Sequence, residues 1–259
     1  MSTASKFAAI FLSASLLAFG LTSRAAESIP PGTILPAHLN STLSSAKAKP
    51  GQIVTARVMQ DVPLNDGRTI RAGATIIGHI TGVTRASNGN AARVSLRFDT
   101  LKLSHQRIPI ITNVRAIASF IEVEGAQIPV TGPDRGTPPD AWTTTQIGGD
   151  AVYRGGGPVE GPEGNVGTPV SDGVLVRLNA NPDRGCRGAM DANDTPQALW
   201  VFSSDACGTY GLPDLKIVQA GRSDPVGEIV LESTRGEVKV NGGAGLLLRV
   251  DSAGASSGV

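Results

Sequence analysis

The chain has 259 residues, with 23 Lys+Arg against 22 Asp+Glu, a formal net charge of +1 and only 4% aromatic residues. This near-neutral balance, with neither a basic run nor interleaved aromatics, excludes a nucleic-acid-binding surface. The 32 Gly and 17 Pro, and the lack of sustained 3.6-residue apolar periodicity, point away from helices and toward an all-β fold.

At the N-terminus, Lys6 precedes the apolar run "FAAIFLSASLLAFGL", and "TSRAAES" follows it. A basic start, an apolar centre and small residues at Ser23 and Ala25 predict a secretory signal over residues 1–25, cleaved after Ala25. A helix over Phe7–Leu21 would be about 22 Å long, short of the ~30 Å hydrocarbon core. No later stretch is long and apolar enough to span a membrane as a helix. The expected location is therefore periplasmic or outer-membrane associated, or outside the cell. From Ala26 to Val130 there are 11 Lys+Arg and 6 Asp+Glu; from Thr131 onward there are 10 and 16. This asymmetry lets the halves attract each other or a charged partner.

Residues 26–130 read as short strands between tight turns. "DVPLNDGRTIRAGATIIGHI" (61–80) alternates strand and turn, with Asn65-Asp66-Gly67 and Arg71-Ala72-Gly73 as the turns. "IVTARVM" (53–59) places Val54, Ala56 and Val58 on one face. "ARVSLRFDTLKL" (92–103) alternates until Phe98 and resumes on the opposite parity at Leu101, which predicts a bulge near Asp99-Thr100. "RIPII" and "IASFIEVEG" read as further strands, and closing this sheet into a small β-barrel would remove its edges. Residues 131–171, crowded with Gly and Pro, read as a linker. Residues 172–250 hold "GVLVRLNA", "ALWVF", "LKIVQA", "GEIVLES", "GEVKVN" and "GLLLRV", six strands suited to a second small sandwich or barrel. Residues 251–259 read as a frayed tail.

The segments "PPGTILPAHLNSTLSS", "GQIVTARVMQDVPLNDGRTIRAGATIIGHITGV" and "ARVSLRFDTLKL" resemble the periplasmic β-domain of the TrbI family, over about residues 30–110. The matching features are Gly32-Thr33-Ile34-Leu35, Asp61-Val62, the "DGR" turn, and the apolar strand from Gly73 to Gly78. TrbI-family proteins form part of the outer-membrane complex of type IV secretion and conjugation machines. The resemblance implies a closed or nearly closed barrel; the expected partner is an unidentified envelope protein, or further copies of the chain in an oligomer. Family members carry an inner-membrane helix and an apolar two-helix insertion; this chain shows a cleavable signal, and strands where the insertion would lie.

Candidate chemistry is sparse. Cys186 and Cys207, the only cysteines of an exported chain, predict one structural disulfide. His38, His79 and His105 have no Asp, Ser or Cys at motif spacing, and read as ordinary surface or half-buried residues. "GASSG" (254–258) matches a nucleophile elbow but lacks the flanking strand and helix. Asp191, Asn193 and Asp194 could offer oxygens to Ca²⁺, although Asx-rich turns arise for backbone reasons alone. No catalytic residue, cofactor or metal site is assigned. The expected function is a non-catalytic structural or interaction protein of the cell envelope. The rival reading is a carbohydrate-type binding module using Trp142, Tyr153, Trp200 or Tyr210; an exposed row of these aromatics would favour it.

Overall fold

The computed structural model describes residues 28–87, 90–104, 106–130, 138, 142–179, 182, 186, 195–220 and 226–251. The signal segment, His105, "GASSG" and the Asp191, Asn193 and Asp194 cluster lie outside them.

In chain order, the first half contains β1 (Ile34–Leu39), β2 (Leu43–Ser44), β3 (Ile53–Val58), β4 (Val62–Pro63), β5 (Thr69–Ile70), β6 (Thr75–Thr84), β7 (Arg93–Leu103), β8 (Gln106–Pro109), β9 (Thr112–Ala118) and the short helix α1 (Phe120–Gly125). Next come β10 (Thr143–Thr145), β11 (Ala151–Tyr153), β12 (Val159–Gly161), β13 (Gly164–Val170), β14 (Gly173–Val176) and β15 (Gln197–Ala198). The last are β16 (Gly208–Tyr210), β17 (Leu215–Ile217), β18 (Ile229–Ser233), β19 (Lys239–Val240) and β20 (Gly245–Val250). The fold is all-β, as composition implies.

The strands do not divide into two domains. Ten of them form one sheet in the order β16-β9-β20-β1-β3-β6-β7-β18-β17, with β8 attached to β7. β20 lies between β1 and β9, and β18 continues the sheet beyond β7, so strands from 172–250 complete the sheet of 26–130. The expected linker is also structured: within 131–171, residues 143–170 supply β10 to β13 of a six-stranded sheet, β10-β11-β12-β13-β14-β15. Turn glycines that suggest a linker here serve antiparallel hairpins.

The expected barrel is not closed. Its edge strands β16 and β17 are joined by four residues, so the sheet must curl to bring them near each other. Thr209 Oγ1 donates to the Leu215 carbonyl at 2.9 Å, but no backbone ladder joins the two strands. Inside the curl, Leu35, Val54, Ile76, Ile80, Leu96, Phe98, Leu246 and Leu248 form the larger core. Ile34, Ala116, Ala118 and Leu247 face the other way and meet Val152, Val174, Val176 and Phe202 in a second core. The three consecutive leucines of β20 are therefore buried on both faces, as an uninterrupted apolar run requires.

Two bulges carry consequences. The register runs Ile77↔Thr100 and then Gly78↔Phe98, so Asp99 is the extra residue, where the parity slip predicts it. On β9 the register runs Leu247↔Ala116 and then Leu248↔Val114, leaving Arg115 as the extra residue. A bulge re-aims its side chain. Arg115 is fully buried; its Nε donates to the Ala206 carbonyl at 3.0 Å and its Nη2 to the Asn179 carbonyl at 2.7 Å.

"IASFIEVEG" is not all strand. Ser119 Oγ accepts from the Glu122 N–H and caps α1, an S-x-x-E signature that the β-branched residues obscure. "ALWVF" is a strand only at β15; it then turns, with the Phe202 N–H donating to the Leu199 carbonyl, and meets Ile147 in a single parallel bridge at Phe202.

Cys186 and Cys207 are bonded, with Cα atoms 5.8 Å apart, and their sulfurs pack against the Arg115 carbonyl. The bond ties Cys186 to the residue that leads into β16 of the shared sheet. Replacing both cysteines with Ser is therefore expected to lower the stability of the whole molecule by about 3 kcal/mol, in a single urea transition. An unchanged first transition beside a weakened second one would contradict the shared core.

Candidate binding cleft

The chain's only two tryptophans meet in one cleft, although 57 residues separate them in sequence. Its volume is about 500 Å³, within the range of small-ligand sites. Trp142 enters from the residue before β10. Trp200 enters from the turn after β15, and its backbone is left-handed, with φ 55°. A bulky side chain rarely adopts that conformation, so the surroundings must impose it.

Gln60 supplies the constraint. Its side chain is buried just past the end of β3; Oε1 accepts from the Trp200 N–H at 2.6 Å and the Val174 N–H at 3.3 Å, and Nε2 donates to the Val174 carbonyl at 2.8 Å. One amide thus clamps the turn at Trp200 to β14. Gly173 lies beneath this clamp, and a Cβ there would stand 2.3 Å from Gln60 Oε1 and 2.7 Å from Trp200 Cα. Glycine is required at this point by close approach.

Arg154 forms the polar wall. Its backbone N–H donates to the Trp142 carbonyl at 3.0 Å and its Nη1 to the Gly173 carbonyl at 3.2 Å. Burial holds its guanidinium below the ordinary Arg value. Thr144, also on the wall, is buried, and its Oγ1 has no partner among the described residues. Met59, Pro129 and Val201 add apolar surface, and Gln127 arrives from the turn after α1. Ser171 and Asp172 form the exposed rim.

Of the four aromatics named from sequence, Trp142 and Trp200 line this cleft and the two tyrosines do not. Tyr210 is half-buried, its Oη accepting from the Cys207 N–H at 3.0 Å. Tyr153 is exposed, and the Glu160 carboxylate beside it raises its phenol. The aromatics therefore form a pair inside a cleft rather than an exposed row. Gln60 and Arg154 carry no motif and are identified only by the fold.

His38 and His79 stand elsewhere. His38 is half-buried on β1; burial, then Arg57, lowers its value, and Asn40 opposes the shift. His79 has an Asp partner at no motif spacing: the bulge brings Asp99 Oδ2 to 2.7 Å from its Nδ1, and Thr100 Oγ1 also donates to Asp99. This pair is solvent-exposed on the outer face of the large sheet, beside Arg97 in register. Among the described residues, no three His, Cys, Asp or Glu converge as a metal set.

Asp150, fully buried before β11, accepts from the Ser204 N–H at 2.6 Å and the Ser204 Oγ at 3.0 Å. Burial raises its carboxyl above the ordinary value; the two Ser204 donations oppose the rise, and Asp205 adds to it. A carboxyl raised on folding holds its proton more tightly in the folded chain. Its contribution to stability is full below the unfolded value of about 3.9 and is lost as pH rises through the folded value. Asp150→Asn removes that dependence. The stability of the native protein relative to the variant is expected to fall with rising pH in urea titrations; a relative stability that rises over this range would contradict it.

No family model matches the chain, and no curated protein matches it.

Proposed function

We propose that this chain is an exported, non-catalytic interaction protein of the cell envelope, and that it binds through the cleft between Trp142 and Trp200. The observation that carries the reading is the Gln60 clamp, which holds Trp200 in a left-handed conformation at the floor of a cleft the other tryptophan also lines. Backbone strain of this kind clusters at binding sites, where surrounding contacts maintain it. The disulfide suits an oxidising compartment, and no helix among the described residues is long and apolar enough to cross a membrane. The TrbI resemblance over residues 30–110 supports placement beside an envelope assembly.

The test is site-specific photo-cross-linking in cells. A photoreactive side chain at Trp142 is expected to capture a discrete envelope protein, identified by mass spectrometry, whereas one at Lys102, on the large sheet, is not. Equal capture from both positions, or none from Trp142, would sink the proposal. The carbohydrate reading draws on the same tryptophan pair, since indole faces stack on sugar rings, and calorimetric titration with N,N′-diacetylchitobiose tests it directly.

A further inference from the structure

The charges of the cleft are unequally placed. Arg154 is half-buried, and its guanidinium is engaged by a single backbone carbonyl, that of Gly173. No carboxylate pairs with it among the described residues; Asp172 shares the cleft but stands on the exposed rim without an ion pair to Arg154. A guanidinium partly removed from water is destabilised unless an anion completes it, and its planar fork suits a carboxylate. Beside it, Trp142, Trp200, Met59 and Val201 offer apolar and aromatic surface, and the buried Thr144 adds a hydroxyl with no partner. A cation set against indole and thioether walls matches a carboxylate attached to an apolar side chain. The cleft, at about 500 Å³, exceeds what one amino acid fills.

We infer that the cleft receives the carboxyl end of a peptide chain whose last residue is apolar or aromatic, with the terminal carboxylate on Arg154 and the last side chain between Trp142 and Trp200. This rests on the cleft being the binding surface proposed above, and it names the chemistry of what binds there. Asp172 on the rim disfavours an acidic residue just before the terminus. Main-chain carbonyls and amides of the ligand meet Gln127 and Thr144 at the wall.

The experiment is calorimetric titration of the whole chain with acetyl-Ala-Ala-Phe carrying a free carboxylate, and with the same peptide amidated. The free acid is expected to bind at least tenfold more tightly than the amide. Arg154→Met is expected to abolish that difference, and Arg154→Lys to restore part of it, with circular dichroism and melting used to verify the fold of each. Equal binding of acid and amide to the native protein would overturn the inference without any variant, as would no binding of either. Free phenylalanine binding as tightly as the peptide would overturn the assignment to a chain terminus. Capture from Trp142 in cells combined with no preference for the free acid would refute the ligand class and leave the cleft reading standing; failure of the cross-link would remove the cleft reading itself.

Discussion

A chain ending at Gly243 is expected to be unfolded throughout, including the segment 26–130 that resembles an independent domain in sequence. β20 is an interior strand, hydrogen-bonded to β1 on one side and β9 on the other. Its Leu246 and Leu248 enter the larger core, while Leu247 enters the second. Truncating one buried leucine to Ala typically costs about 2–5 kcal/mol, and a domain of this size has a total stability of only about 5–15 kcal/mol. Removing three leucines together with two ladders exceeds that margin. Circular dichroism and amide exchange provide the measurement: a truncated chain that retained protected amides in β3, β6 and β7 would show that the first half holds its own core.

The second large effect is expected at Arg115. Its side chain crosses from β9 to the backbone carbonyls of Asn179 and Ala206, with Ser204 more distant at 3.5 Å. Arg115→Met keeps much of the apolar stem but removes the guanidinium donors from the Ala206 and Asn179 carbonyls. A loss of about 3–5 kcal/mol in urea unfolding is expected, the usual scale for removing one partner from a buried charged network. Because the cysteine sulfurs rest on the Arg115 carbonyl, combining this substitution with Cys186→Ser and Cys207→Ser should give less than the sum of the separate losses. A loss below about 1 kcal/mol would mean that water replaces the guanidinium at these carbonyls.

Local chemistry was readable in the sequence. The turns at Gly67 and Gly73, the slip at Asp99 and the cysteine pairing each follow from residues near one another or from a single possible partner. Strand pairing was not readable, because alternation tells which face of a strand is buried but never which strand lies beside it. "GLLLRV" announces burial on both faces, yet nothing in it specifies β1 and β9 as neighbours. The Gly- and Pro-rich composition of 131–171 fits hairpins as well as a linker. At the cleft, the tryptophans were visible as a residue type, whereas Gln60 and Arg154 acquire meaning only through Trp200 and Gly173, which are distant in sequence from Gln60. The His79–Asp99 pair falls between these cases: the bulge was predicted, but not the carboxylate it would turn toward the imidazole.

The position of β20 also governs the order of events during folding. β1 cannot pair on both sides, and β9 cannot be flanked, until the far end of the described chain arrives; β2 and β19 make the same demand, with the Val238 N–H bonded to Ser45 Oγ across 193 positions. Contacts this remote carry the full entropy of closing the chain between them before any packing compensates. A nascent chain therefore cannot complete this sheet before β20 has been made. Such a delay is what the export proposed above would require of a chain that passes unfolded through a narrow translocation pore.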